Sequence, residues 1–459
     1  MPRLLTALLT LLGLLGLLTT APAAAQSAGT YAIVNVTVVP MDRDGHLPNQ
    51  NVIVRDGTIV AMGPSASTAV PAGATRIEGR GRYLMPGLAE MHAHVPPQAD
   101  QAQWTRDVLF LYAANGITFA RSMLGAPHHL PLRAQAERGE IVSPRIYTSG
   151  PSLNGNSVAT PEDARRMVAE QRAAGYDFLK IHPGLDRPRY DAIVAAARAQ
   201  NMTLGGHVPA EVGLMRALEA RQATVDHFDD FVTVLLPEGA ASGPGGFFGV
   251  NHADAVDEAR IPALVARIVA SGVWNVPTES LMHHLLLASP TTDALLAWPE
   301  MAYVPPQMRA QWAQARGGLQ AQPGYDAATA QRFVEMRGRL IRALHDAGAG
   351  LLLGSDAPQI FQVPGFSIHH ELRILVESGL TPYQALLTGT RNVARFLGEE
   401  ERFGTIATGR RADLILLEAD PLADVANVRR RAGVMVNGRW LSEADIQAGL
   451  AAIAARYRG

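Results

Sequence analysis

Apolar and polar positions alternate in short runs from Tyr31 to Arg82. The stretches "YAIVNVTVV", "NVIVRDGTIVAMG" and "TRIEGRGRYL" are β-branched and broken by Gly, Pro and Asp-Gly turns, which predicts strands. "MDRDG" (Met41 to Gly45) lacks the ligand spacing and terminal Glu of a calcium loop and is predicted as a hairpin turn. From Met85 to about Glu400 the pattern changes. Eight short apolar runs, "LMPGLAEMHAH", "GITFARS", "PRIYTSG", "YDFLKIH", "MTLGGH", "ATVDHF", "VWNVPT" and "GLLLGSDA", alternate with helical stretches. In "TPEDARRMVAEQRAAG", Thr160 is the predicted N-cap, Pro161 opens the helix and Gly175 stops it. "TPYQALLTGT" repeats the device, with Gln384 closing a capping box on Thr381.

Eight strand–helix units in this order predict an α/β protein of the (β/α)8 TIM-barrel class. A doubly wound open sheet is the competing arrangement, but no Gly-rich dinucleotide fingerprint follows the first run. Beyond the barrel, "GTIATGRRADLILLEADPLADV" and "AGVMVNGRWL" return to short strands, and "SEADIQAGLAAIAARYRG" predicts a closing helix. The two flanking β segments are predicted to pair as one small β-sandwich assembled from both chain ends. The predicted divisions are a leader over 1–25, sandwich segments over 26–84 and 402–441, the barrel over 85–401, and a C-terminal helix over 442–459.

The leader reading comes from Arg3, the leucine-rich run Leu4 to Leu18, and Ala23-Ala24-Ala25, in the order of a secretory signal. The run is shorter than the roughly 20 residues a membrane span needs. A periplasmic or secreted protein with no stable membrane anchor after cleavage is expected. Cysteine is absent, so stability must come from core burial, and any metal site is restricted to His, carboxylate, Lys or water ligands. The 40 basic and 42 acidic residues nearly cancel, and no basic run offers a footprint for nucleic acid. The expected partner is a small-molecule substrate; the oligomeric state, a homo-oligomer included, is left open.

Candidate chemistry then gathers at the ends of the predicted strands. Residues i and i+2 of a strand share a face, so His92 and His94 in "MHAHVP" both face the mouth of a barrel whose catalytic groups sit at its C-terminal strand ends. Other strand ends supply Lys180 in "FLKIH", His207 in "GGHVP", His227 in "VDHFDD" and Asp356 in "GSDAP". Taken singly, each has a plain alternative: a packed histidine, a solvated lysine, a helix-capping aspartate. Five separate strand ends carrying such groups favour a metal centre.

These stretches, "PGLAEMHAH", "FLKIHPG", "GGHVP", "VDHFDD" and "LLLGSDAP", resemble the successive signatures of the amidohydrolase superfamily, in its imidazolonepropionase-like and prolidase-like branch. The likeness runs from about Tyr31 to Leu441. It implies two divalent metal ions, zinc or else manganese, cobalt or iron. His92, His94 and Asp356 would hold one, His207 and His227 the other. Lys180, carbamylated by CO₂, would bridge them, since an ammonium has no lone pair to offer. A metal-bridging hydroxide would attack the substrate, with Asp356 as general base and then acid. His182, two residues beyond Lys180, departs from the ligand order and is read as a substrate contact, a replacement ligand or a loop residue.

Around this core, Tyr147 is a candidate oxyanion donor and Arg121 a partner for a substrate or barrel carboxylate. His283 and His284 follow the seventh run, His369 and His370 the eighth; His283 is taken as a further candidate substrate contact. The Gly-rich "PEGAASGPGGFFGVNHAD" (residues 237 to 254) reads as a lid, or else a surface loop. The expected activity is metal-dependent hydrolysis of an amide C–N bond in a small substrate such as a dipeptide or an N-acyl amino acid. A cyclic-amide hydrolase, deaminase, esterase or lactonase would use the same centre. A non-catalytic binding protein on a decayed barrel is the alternative of another class.

Overall fold

The computed structural model describes residues 29–240 and 244–458. The leader predicted over 1–25 lies outside them, as do three residues of the Gly-rich segment, 241–243. No helix among the described residues is long and apolar enough to cross a membrane.

The first strands are β1 (Thr30–Val38), β2 (Leu47–Arg55), β3 (Thr58–Pro64), β4 (Thr75–Glu78) and β5 (Tyr83–Pro86). Met41 to Gly45 lies in the connection between the antiparallel pair β1 and β2. Two parallel sets follow. β6 (Leu88–Ala93), β7 (Ile117–Ser122) and β8 (Arg145–Thr148) form a three-stranded sheet, and β9 (Leu179–Ile181), β10 (Leu204–Gly206), β11 (Thr224–Asp226) and β12 (Trp274–Val276) a four-stranded one. The chain ends with β13 (Leu414–Leu417), β14 (Arg431–Val436), β15 (Arg439–Ser442) and the helix Glu443–Arg456.

Both chain ends meet in one sheet of order β15-β14-β13-β5-β1-β2-β3, with β4 on β1. The seam is the antiparallel pair β5 and β13, which sets Pro86 opposite Leu414 and Tyr83 opposite Leu417. The predicted sandwich is thus built as a single hydrogen-bonded sheet. Register shifts in β1 around Val36, next to Asn35 at φ 57°, are where an extra residue bends a strand. Ile33, Val52, Leu414 and Leu416 are sealed on one face, each side chain worth about 1.5–3 kcal/mol of burial.

The parallel strands are only three to six residues long. At Gly206, φ is 118° and an added Cβ would come within 2.7 Å of Lys180 Cδ, so the "GGH" stretch leaves the space the lysine stem fills. The two parallel sheets touch through isolated bridges, Ser149 with Phe178 and Leu153 with Ile181.

The predicted eighth strand differs from expectation. "LLLGSDA" makes one isolated bridge, Leu351 with Asn275, although it lies between β12 and β6, donating from Leu352 N to Asn275 O (2.9 Å) and accepting at Leu353 O from Met91 N (2.8 Å). Two of its other N–H groups are taken elsewhere: Leu353 N by Thr388 O (3.0 Å) and Ser355 N by the Glu90 carboxylate (2.8 Å). A closed eight-stranded ladder is therefore not formed among the described residues.

Helices cover the outside. Pro161–Ala174 begins with a capping box between Thr160 and Asp163 and ends at left-handed Gly175, and Pro382–Thr388 carries the Thr381–Gln384 box. Ala327–Asp346 is capped by Asp326 and buries Ala330, Phe333, Val334, Arg337, Leu340, Ile341 and Leu344, a stripe at helical spacing that contains one charge.

Candidate metal centre

His92 is the last residue but one of β6 and is buried, whereas the His94 side chain just beyond the strand is 15% exposed. His92 Nε2 lies 3.3 Å from Lys180 Nζ and 3.5 Å from Asp356 Oδ1. His94 Nε2 lies 2.6 Å from the same Asp356 oxygen. His227 packs against both neighbours, with ring centroids 4.5 Å from His92 and 4.7 Å from His207. His92, His227 and Asp356 each bring a ligand atom within 4.8 Å of the others, and all three are buried. The structure thus brings together His92, His94, Lys180, His207, His227 and Asp356 from five separate segments.

The partners of the imidazoles decide which nitrogen carries the proton. Thr278 Oγ1 donates to Pro277 O (2.7 Å), so toward His227 Nδ1 (2.8 Å) it accepts. That places the proton on Nδ1 and the lone pair on Nε2. His207 Nδ1 donates to Asp229 Oδ2 at 2.7 Å, with the same result. His92 Nδ1 stands 2.8 Å from Asp226 Oδ2, but off the hydrogen-bond direction, so both atoms lack a hydrogen-bond partner while the carboxylate lies against the Nδ1 side of the ring. A carboxylate behind a histidine is the arrangement that orients a metal ligand.

Burial governs the charges. It pushes the titration of His92 and His227 well below the usual histidine range, so both are neutral, as ligation requires. It pushes the Lys180 ammonium down to about 8, against the pull of Asp226 and Asp356. The His182 side chain, whose Nδ1 has no partner and whose ring lies 5.1 Å from His207, is pushed down to about 2 by burial and by Lys180.

This donor set fits a divalent metal. Neutral imidazoles converge on a buried carboxylate, and His94 and Asp356 meet at 2.6 Å, a separation at which two lone-pair donors need a cation or a proton between them. The Phe248 ring lies nearly parallel to His207, at 8° and 6.2 Å, and 5.1 Å from His227, which brings the described part of the Gly-rich segment against the ligands.

Three candidate substrate contacts stand elsewhere. Arg121 lies within β7, 1% exposed, with Nη2 on Thr224 Oγ1 (3.1 Å) and its guanidinium 4.6 Å above the Phe178 ring, so it is sealed from solvent. Tyr147 pairs with it in register, stacks on Phe178 and donates to Asp177 O (3.4 Å), so its hydroxyl is engaged by the backbone before β9. His283 lines an outer groove with Val334, Arg342 and Ile374, because its turn of the helix Glu279–Leu286 faces the surrounding helices. His284 is buried beside Gln362 (2.8 Å), His370 bonds Glu300 (2.9 Å), and His369 is buried with both ring nitrogens unpartnered.

The sequence reading missed the residues behind the ligands: Asp226, Asp229, Thr278 and Glu90. The two aspartates were signalled by "VDHFDD", where carboxylates flank His227. Glu90 accepts from His92 N (3.1 Å), Ser355 N (2.8 Å) and Ser355 Oγ (2.5 Å), tying β6 to the segment that carries Asp356. Burial raises its carboxyl to about 8.

Residues 83–441 match the family model described as the amidohydrolase family. Adenine deaminase 3 of Rhizobium meliloti (strain 1021) is 24% identical over 421 residues, 87% of this chain but 56% of that protein, so the chain spans little more than half of it. Imidazolonepropionase of Stenotrophomonas maltophilia (strain R551-3) is 25% identical over 408 residues, 85% of this chain and 91% of that one. The crystal structure of a Xaa-Pro dipeptidase with bound methionine superposes with a TM-score of 0.66 at 18% identity, over 90% of this chain and all (100%) of that one. The likeness assigns a TIM-barrel-like α/β fold.

Proposed function

The chain belongs to the amidohydrolase family, and from that premise we propose that it is a metal-dependent hydrolase, exported to the periplasm or beyond, that cleaves an amide C–N bond of a dipeptide or an N-acyl amino acid. The two parallel sheets and the segment around Leu351 are read as one (β/α)8 barrel with the centre at its C-terminal mouth. The observation that carries the reading is the buried convergence of His92, His227 and Asp356, with Lys180 3.3 Å from His92.

His92, His94 and Asp356 would hold one divalent ion, zinc by ligand type, and His207 and His227 a second, with Lys180 between them as its carbamate. When bound, such ions polarise the scissile carbonyl and lower the pKa of a water from about 16 toward 7. The chain's own residues do the rest. Asp226, Asp229 and Thr278 stand at the Nδ1 atoms of His92, His207 and His227, which leaves their Nε2 lone pairs as the donors. His94 holds the Asp356 carboxylate at 2.6 Å, where it takes the proton of the attacking water and delivers it to the leaving nitrogen. His182, neutral and with its ring 5.1 Å from that of His207, would lie beside the substrate as a contact.

The relative named imidazolonepropionase supports a second reading, opening of a cyclic amide on the same centre. The test is a screen of the zinc-loaded protein against dipeptides, N-acyl amino acids, cyclic amides and lactones. Turnover of the first two groups supports the proposal. Turnover confined to cyclic amides or lactones replaces it, and tight binding by metal-free protein without turnover of any would favour a binding protein.

A further inference from the structure

Arg337 is a charged residue on the buried stripe of the helix Ala327–Asp346, 1% exposed and outside the ligand set. Its guanidinium fastens two loops at once. Nη1 donates to His227 O (2.8 Å) and Nη2 to Pro277 O (3.0 Å), the first residues after β11 and β12. Nε and Nη2 grip both oxygens of Glu279 at 2.7 to 3.0 Å, and the plane lies 5.0 Å from the Phe228 ring and 5.2 Å from that of Phe333. The Glu279 and Ser280 amides are in turn held by Glu371 (3.0 and 2.7 Å).

The backbone it holds is strained. His227, Phe228 and Thr278 sit at φ 62°, 55° and 55°, a left-handed conformation that costs of order 1–3 kcal/mol for a side-chain-bearing residue and persists only where neighbours impose it. One loop carries the His227 imidazole and the other the Thr278 hydroxyl that fixes its tautomer, so Arg337 sets both halves of that contact. A lysine retains the charge but not the planar fork that reaches two carbonyls and a carboxylate together.

We propose that Arg337, with Glu279 as its counter-charge, is a positioning residue that aims the His227 imidazole into the metal centre from an outer helix. The proposal rests on the metal-binding reading above. Cobalt(II) titration of the metal-stripped protein tests it, read by the visible absorption bands and by the dissociation constant, beside the melting temperature of the metal-free chain. If the wild-type chain takes up no cobalt, the metal reading fails before any variant is compared. If it does, Arg337→Lys is expected to bind cobalt about 10- to 100-fold more weakly, with altered bands, and to lose kcat more than it gains KM. The double variant Arg337→Met with Glu279→Met replaces the buried pair by apolar side chains of similar size, which preserves stability in many proteins; it is expected to melt near the wild type yet show the same loss of cobalt affinity. Unchanged affinity and bands in either folded variant, whatever the melting temperature, overturn the proposal. Failure of both variants to fold assigns Arg337 to the fold and overturns it as well.

Discussion

His94 Nε2 and Asp356 Oδ1 stand 2.6 Å apart across 262 residues of chain. That contact joins the first and last ligand segments and fixes the carboxylate on which proton transfer is proposed to depend. Asp356→Asn keeps the shape but cannot carry a proton. It is expected to lower kcat by about 10²–10⁴-fold with KM little changed, measured by steady-state hydrolysis of whichever substrate the screen identifies. A loss confined to KM would move Asp356 from proton transfer to substrate binding.

Asp226 makes its contribution through His92. With the anion 2.8 Å from Nδ1, the tautomer with Nε2 free is favoured; an amide there sets no such preference. Asp226→Asn should weaken metal binding about 10- to 100-fold in competition with a chelator. Equal affinity would mean that the contact is incidental.

Metal removal and Lys180 can be tested together. The carbamate forms from the neutral amine, and burial brings the Lys180 titration down to about 8. The reactive fraction therefore grows as pH rises through about 8. After stripping with a chelator, recovery of activity on adding zinc should require bicarbonate and quicken between about pH 7 and pH 9. Lys180→Ala should not recover under the same conditions. Full, bicarbonate-independent recovery of the wild type would argue against the carbamate.

Glu371 offers a prediction away from the ligands. Burial, with Glu279 adding to it, raises its carboxyl from 4.5 to about 8. The folded chain thus holds a proton that the unfolded chain releases over that window. The resulting stability is complete below about pH 4.5 and is lost as pH climbs to about 8. Glu371→Gln has no proton to lose, so its metal-free melting temperature should fall less than the wild type's between about pH 5 and pH 8. Parallel curves would show that Glu371 titrates normally.

The convergence of the candidate ligands was legible because strand alternation and ligand chemistry coincide at His92 and His94, and because Lys180, His207, His227 and Asp356 recur at the same end of later runs. The partners that a strand residue meets were not legible. Arg121 and Tyr147 are paired across β7 and β8, yet the guanidinium is taken by Thr224 and the phenol stacks on Phe178, long-range contacts that leave no local pattern. Nor was the isolated bridge at Leu351, since its apolar run reads as a strand while a buried glutamate in another run takes one of its amides. Arg337 was hidden for a different reason: an arginine on an amphipathic helix reads as solvated until the loops it holds are seen.

The central claim is a metal centre built on these six residues, and metal content measures it most directly. Elemental analysis of the protein purified with divalent metal in the medium should give two ions per chain, reduced in His92→Ala and in His227→Ala while the fold persists by circular dichroism. A wild-type chain that retains no metal, or variants that retain as much as the wild type, would contradict the account.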